Sequence, residues 1–155
     1  MTGPSYVSQW TCALALLIVS TSQAGSVKLD DAGSYAEQPN VRMQWRSAIA
    51  STGPSVATEA RVRVHIRIDT RPYAGQQGRV YMVLPLDAGQ PLRAEWQTEG
   101  RLLPGSVVSG GRALVYSGPL PSDALEDQLS VRLSSDVGWL SDSRRLNFHF
   151  ELDTP

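Results

Sequence analysis

A length of 155 residues suits one domain better than two, and 14 Lys and Arg against 15 Asp and Glu leave a formal net charge of −1. That balance supplies no basic field for gathering nucleic acid or anionic lipid. The single cysteine, Cys12, excludes an internal disulfide framework, and the single lysine, Lys28, leaves none for a serine–lysine dyad in the body of the domain.

Residues 10–19 ("WTCALALLIV") form an apolar run as long as a signal-peptide core and too short to cross a bilayer. Ser22 and Ala24 then stand at the −3 and −1 positions of a cleavage site before Gly25. Residues 1–24 are therefore expected to be a signal peptide, although no Lys or Arg precedes the apolar run. Export to the periplasm or the extracellular space follows, with no membrane span once the signal is removed. Cys12 leaves with the signal, so the mature chain has no thiol nucleophile, thiolate metal site or redox switch.

The segment 25–40 ("GSVKLDDAGSYAEQPN") is polar and rich in small residues, with only Val27, Leu29 and Tyr35 to bury. It is expected to be a flexible lead with a short edge strand at 26–29, free to dock on a partner's sheet edge. A single domain over 41–155 follows. Its dominant signal is period-2 alternation, in "VRMQWRS" (41–47), "RVRVHIRID" (61–69), "LRAEWQT" (92–98), "QLSVRLS" (128–134) and "RLNFHFELD" (145–153). "RVYMVLPL" (79–86) is apolar almost throughout, as a strand covered on both faces would be, and "RALVYSG" (112–118) is a shorter apolar run. Turn signals rich in Gly and Pro separate these runs; "PGSVVSGG" (104–111) reads as one such turn. "PSDALEDQL" (121–129), with Ser122 as cap, is the best helix candidate, of two turns at most. About seven strands without alternating helices predict an all-β antiparallel β-sandwich, with a small closed β-barrel as runner-up. In layout this resembles immunoglobulin-like domains, a likeness of architecture that implies no site and no ligand.

The two histidines, His65 and His149, occupy equivalent places in "VRVHIRID" and "LNFHFELD", each on the face opposite the apolar row. A metal site needs three or four converging ligands, and in an immunoglobulin-like strand order these two strands belong to opposite sheets. They are expected to be exposed passengers, so no metal and no cofactor is expected. Arg61, Arg63 and Arg67 form a basic stripe facing the acidic row of Glu151 and Asp153 if the strands pair, and otherwise either solvated protection of a sheet edge or a surface for a carboxylated or phosphorylated partner. The acidic pairs at 30–31 and 126–127 fall in polar segments and read as solvated. Catalysis is poorly served: the G-x-S-x-G elbow, P-loop, dinucleotide glycine pattern and H-E-x-x-H are all missing.

Aromatic residues complete the inventory. Trp45 and Trp96 fall on apolar strand faces and belong to the core. Trp139, in "SSDVGWLSDS", and Tyr73, in "TRPYAGQQG", lie on turn-rich connections where an aromatic serves as a binding anchor or plugs an open end. The expectation is an exported, non-enzymatic β-sandwich working through contacts with an envelope or surface protein, as an accessory subunit of a surface or adhesion apparatus. The alternatives are a carbohydrate-binding module that stacks a glycan on Trp139 and Tyr73 and, behind it, an enzyme whose site carries no recognised motif.

Overall fold

The structure, a computed structural model, describes residues 25–37, 44–50, 53–86, 91–135 and 147–154. The signal segment 1–24 and Trp139 lie outside them. The described residues form ten strands and one 3₁₀ turn, Arg71–Tyr73. The strands are β1 (Ser26–Lys28), β2 (Tyr35–Ala36), β3 (Gln44–Ala50), β4 (Gly53–Asp69) and β5 (Gln77–Val83), then β6 (Arg93–Thr98), β7 (Gly105–Val108), β8 (Arg112–Pro119), β9 (Ala124–Ser135) and β10 (His149–Asp153). One sheet has the order β1-β10-β5-β8; the other runs β2-β4-β9-β6-β7, with β3 also on β4. Two separate antiparallel sheets make a sandwich, so the closed-barrel alternative falls.

Alternation places the core between the sheets. Val62, Val64, Ile66 and Ile68 of β4 are buried, as are Leu125, Leu129, Val131 and Leu133 of β9 and Ala94 and Trp96 of β6. Facing them across the sandwich are Val80 and Met82 of β5, Val115 of β8, and Phe150 and Leu152 of β10. Burying such a row on one face is what gives each strand its register, because a slip by one residue would turn it to solvent. β5 departs from the expectation that both its faces are covered: Val80 and Met82 point in, while Tyr81 points out and is roofed by the Arg112 guanidinium, 4.2 Å from its ring centre.

Three further corrections follow from pairing that the local sequence does not carry. Over 25–37 the expected edge strand at 26–29 is present as β1, paired with β10, but the remainder is no flexible lead: Leu29 is buried and β2 pairs with His65 and Val64 of β4. "GSVV" is not a turn but β7, an edge strand on β6. The helix candidate at 121–129 is strand from Ala124 onward, because β9 pairs with β4 continuously from Ala124↔Asp69 to Ser135↔Thr58. A two-turn helix forms only one hydrogen bond per residue beyond a costly nucleus, and this ladder with its buried leucines outweighs it.

The charge ladder between 61–69 and 145–153 is absent, as β4 and β10 lie in different sheets. Ion pairs form within each sheet instead. Arg112 reaches Asp153 at 3.0 Å and Glu151 at 3.8 Å, and Arg132 reaches Glu59 at 2.8 Å.

β4 ends in a tight corner. Thr70 is fully buried and donates its hydroxyl to the Pro121 carbonyl at 2.8 Å. Asp69 accepts from the Arg71 side chain at 2.6 Å and from its backbone N–H at 3.0 Å, and these bonds pull the Asp69 carboxyl down to about 2. A carboxyl depressed by folding stabilises the native state above its unfolded value, near 3.8, and loses that contribution as the pH falls toward 2. Acid unfolding followed by circular dichroism is therefore expected to be flatter between pH 4 and 2 in Asp69→Asn than in the parent. Parallel curves would show that the pair contributes nothing.

Candidate binding site

The outer face of the six-stranded sheet is ordered by register into rows running across the strands. Tyr35 of β2 lies opposite His65 of β4, and His65 opposite Gln128 of β9. The row continues to Glu99, just past β6, whose N–H bonds the Gln128 carbonyl at 3.2 Å. Along this row runs an open groove of about 460 Å³, walled by Gly33 and Arg67 on one side and by Glu99 and Gly100 on the other.

Tyr35 is held there by the turn before it. The Asp30 carboxylate accepts the Ala32 N–H at 3.0 Å, and Ser34 N–H reaches the Asp31 carbonyl at 2.8 Å. The Ser34 hydroxyl accepts the Arg67 N–H at 2.9 Å and donates to the Arg67 carbonyl at 3.2 Å. Asp30 thus shapes a turn rather than standing merely solvated. The Tyr35 ring stacks on the His65 imidazole with centroids 4.6 Å apart and planes 18° apart. Its phenol remains 58% exposed, the largest free aromatic surface among the described residues. His65 Nε2 lies 3.1 Å from Glu37 Oε1, which fixes the imidazole under the phenol.

The opposite wall depends on Asp127. Its register partner Ile66 is 2% exposed and faces the core, and directly opposed residues of an antiparallel pair share a face. Asp127 therefore sits on the inward row, just beyond the end of β6. Its carboxylate accepts the N–H groups of Leu102 and Gln128 at 2.7 Å each and of Glu99 at 3.2 Å. The sequence reading of 126–127 as a solvated pair is corrected by this. Two glycines keep the walls close: a Cβ on Gly33 would stand 2.7 Å from Arg67 Cδ, and one on Gly100 would stand 2.9 Å from Asp127 Oδ1.

The residues singled out from the sequence are distributed otherwise. Arg67 joins the groove and is engaged by Glu126 and, at 3.7 Å, by Asp123. Arg61 lies 3.4 Å from Glu59, and Arg63 is exposed without an ion-pair partner among the described residues. Tyr73 is half-buried in the 3₁₀ turn and packs against the core. His149, on the other sheet, lies 3.2 Å from Glu151. From sequence alone Tyr35 reads only as something to bury, since a two-residue strand has no period by which its outward face can be read. A second groove of about 390 Å³, on the four-stranded sheet beside Arg79, Ser117 and Asp153, has no aromatic lining.

No protein-family profile and no curated protein matches the chain. Among solved structures it is similar to "Xylan-Binding Domain from CBM 22, formally x6b domain", at 13% identity over 85% of this chain and 94% of that one, with a TM-score of 0.31. It is also similar to the C-terminal family 22 carbohydrate-binding module of Clostridium thermocellum Xyn10B, at 12% identity over 86% and 94%, with a TM-score of 0.30. Likeness at this level assigns neither ligand nor residue to the chain.

Proposed function

We propose that the protein is a non-catalytic glycan-binding module, exported by residues 1–24, that holds an oligosaccharide along the Tyr35–Glu99 groove. The observation that carries this is the Tyr35 ring, stacked beneath by His65 and free above, at one end of a row of hydrogen-bonding side chains. A pyranose presents an apolar C–H face to an aromatic ring and hydroxyls at its rim, and this groove offers the same pairing of surfaces. Its openness suits an extended chain; a small apolar ligand would call for an enclosed, mostly apolar cavity. In this reading Tyr35 is the stacking platform, Tyr73 being half-buried against the core and Trp139 lying outside the described residues.

The protein-contact reading loses the strand on which it leaned, because β1 and β2 are already paired within the fold. The test is a glycan array with the full chain, followed by calorimetry on the ligands retained. Tyr35→Ala is expected to weaken binding about tenfold, as loss of roughly 1.4 kcal/mol of aromatic contact implies, and to leave the melting temperature within a degree or so of the parent because the ring is exposed. An array without a single retained glycan, or a Tyr35→Ala variant that binds as well as the parent, sinks the proposal.

A further inference from the structure

The groove is charged as well as open, and its charge is one-sided. Glu99 and Glu126 belong to its lining, with the Asp127 carboxylate turned inward beneath the wall onto three backbone N–H groups, and Glu37 lies beside the His65 ring. Arg67 is the one arginine in that lining, and its guanidinium is already occupied by Glu126 and Asp123. Glu99 is exposed and has no ion-pair partner among the described residues. Its backbone N–H is held by Asp127 and by the Gln128 carbonyl, so its side chain is anchored at the root and free at the tip. A carboxylated or sulfated sugar would enter a negative field here, whereas an ammonium would meet an unneutralised carboxylate at the end of the row.

We infer that the ligand is an oligosaccharide bearing free amino groups, with one sugar ring on Tyr35 and the ammonium of another beside Glu99. The inference rests on the glycan reading and specifies its charge class. Tyr35 and Glu99 are three strand spacings apart, about 14 Å, so the two contacts fall on different units of one chain. Arg63 stands one row further along β4 and is itself unpaired among the described residues. It opposes an ammonium in the groove and biases that group toward the Glu99 end.

The experiment compares three β-linked oligosaccharides of equal length against the full chain: fully deacetylated hexosamine, its N-acetylated counterpart and a uronate. Calorimetry at low salt is expected to show the deacetylated oligomer binding about fivefold more tightly than the acetylated one, with the uronate weakest. That preference should largely vanish near 0.5 M salt, where exposed charges a few ångströms apart are screened. Glu99→Gln is expected to cost about fivefold for the deacetylated ligand and nothing for the acetylated one, the size of an exposed charge contact. Arg63→Gln should tighten the deacetylated ligand about twofold.

Equal or tighter binding of the acetylated oligomer overturns the charge assignment and leaves the glycan reading standing. Failure of all three, with other glycans retained on the array, likewise overturns only the charge assignment; failure of every glycan removes both. Oligolysine of matched charge binding as tightly as the deacetylated sugar also overturns the inference, because the groove would then select charge without stacking.

Discussion

Trp96→Ala is expected to lower the unfolding free energy by about 4 kcal/mol, the middle of the range for a buried tryptophan truncation. The ring is 1% exposed and is the largest fully buried side chain among the described residues. Its Nε1–H donates to the Leu103 carbonyl at 2.9 Å, which ties β6 to the stretch that leads into β7. Its edge also lies so close to the β7 backbone that a Cβ on Gly105 would stand 3.0 Å from Cζ2. Alanine would remove the packing, leave a void between β6 and β7, and strand a carbonyl that had a donor. Single domains are typically stable by only about 5–15 kcal/mol, so the variant is expected to keep its fold with a much reduced margin. Urea unfolding followed by circular dichroism measures the loss directly, and Trp96→Phe separates its parts. Phenylalanine keeps most of the apolar volume and forfeits the bond, and should cost about 1–2 kcal/mol. A loss below about 1.5 kcal/mol for alanine, with the denaturant slope unchanged, would mean that the ring is not the packing centre of this sheet.

How much of this was visible in the sequence differs by element, for physical reasons. β4, β6, β10 and the 128–134 part of β9 were legible because each buries one face over at least five residues, and period 2 follows from that directly. β1 was legible as a short edge strand at 26–29, whereas β2, of two residues, is too short to show a period and exists because β4 offers it an unpaired edge. β7 is hidden by the Gly and Pro around it, which signal turns equally well. The helix reading at 121–129 took a local cap pattern at face value, while the deciding contacts lie with β4, more than fifty residues away in sequence.

The candidate site shows the same division. His65 and Arg67 were noticed on the wet face of a strong strand, but Tyr35 could be placed over His65 only by a pairing that nothing local announces. Asp127 is the instructive miss, because its signal was present. Leu125, Asp127, Leu129, Val131 and Leu133 fall on alternate positions, so a strand reading would have put this aspartate on the apolar row and asked what satisfies it.

What satisfies it are three backbone N–H groups, and removing the acceptor is expected to damage fold and groove together. Asp127→Ala leaves the N–H groups of Leu102 and Glu99 without the carboxylate, and the Leu102 bond, at 2.7 Å, is the shorter of these two. Leu102 itself is 3% exposed, so water has little access to that donor in the native fold. Stranding one such group costs about 1–3 kcal/mol; the Glu99 N–H keeps its second acceptor, the Gln128 carbonyl, and is less affected. The expected loss is about 2–3 kcal/mol in urea unfolding. Because Glu99 and Gly100 form one wall of the groove, loosening 99–102 should weaken glycan binding more than the direct loss of Glu99 does. Asp127→Asn discriminates between the roles of shape and charge. Its carbonyl oxygen can still accept from Leu102, so it should recover more than half of the lost stability, although its amide would meet the other N–H groups donor to donor. If Asp127→Ala unfolds like the parent and binds like the parent, the wall stands without this carboxylate, and its inward placement has no structural consequence.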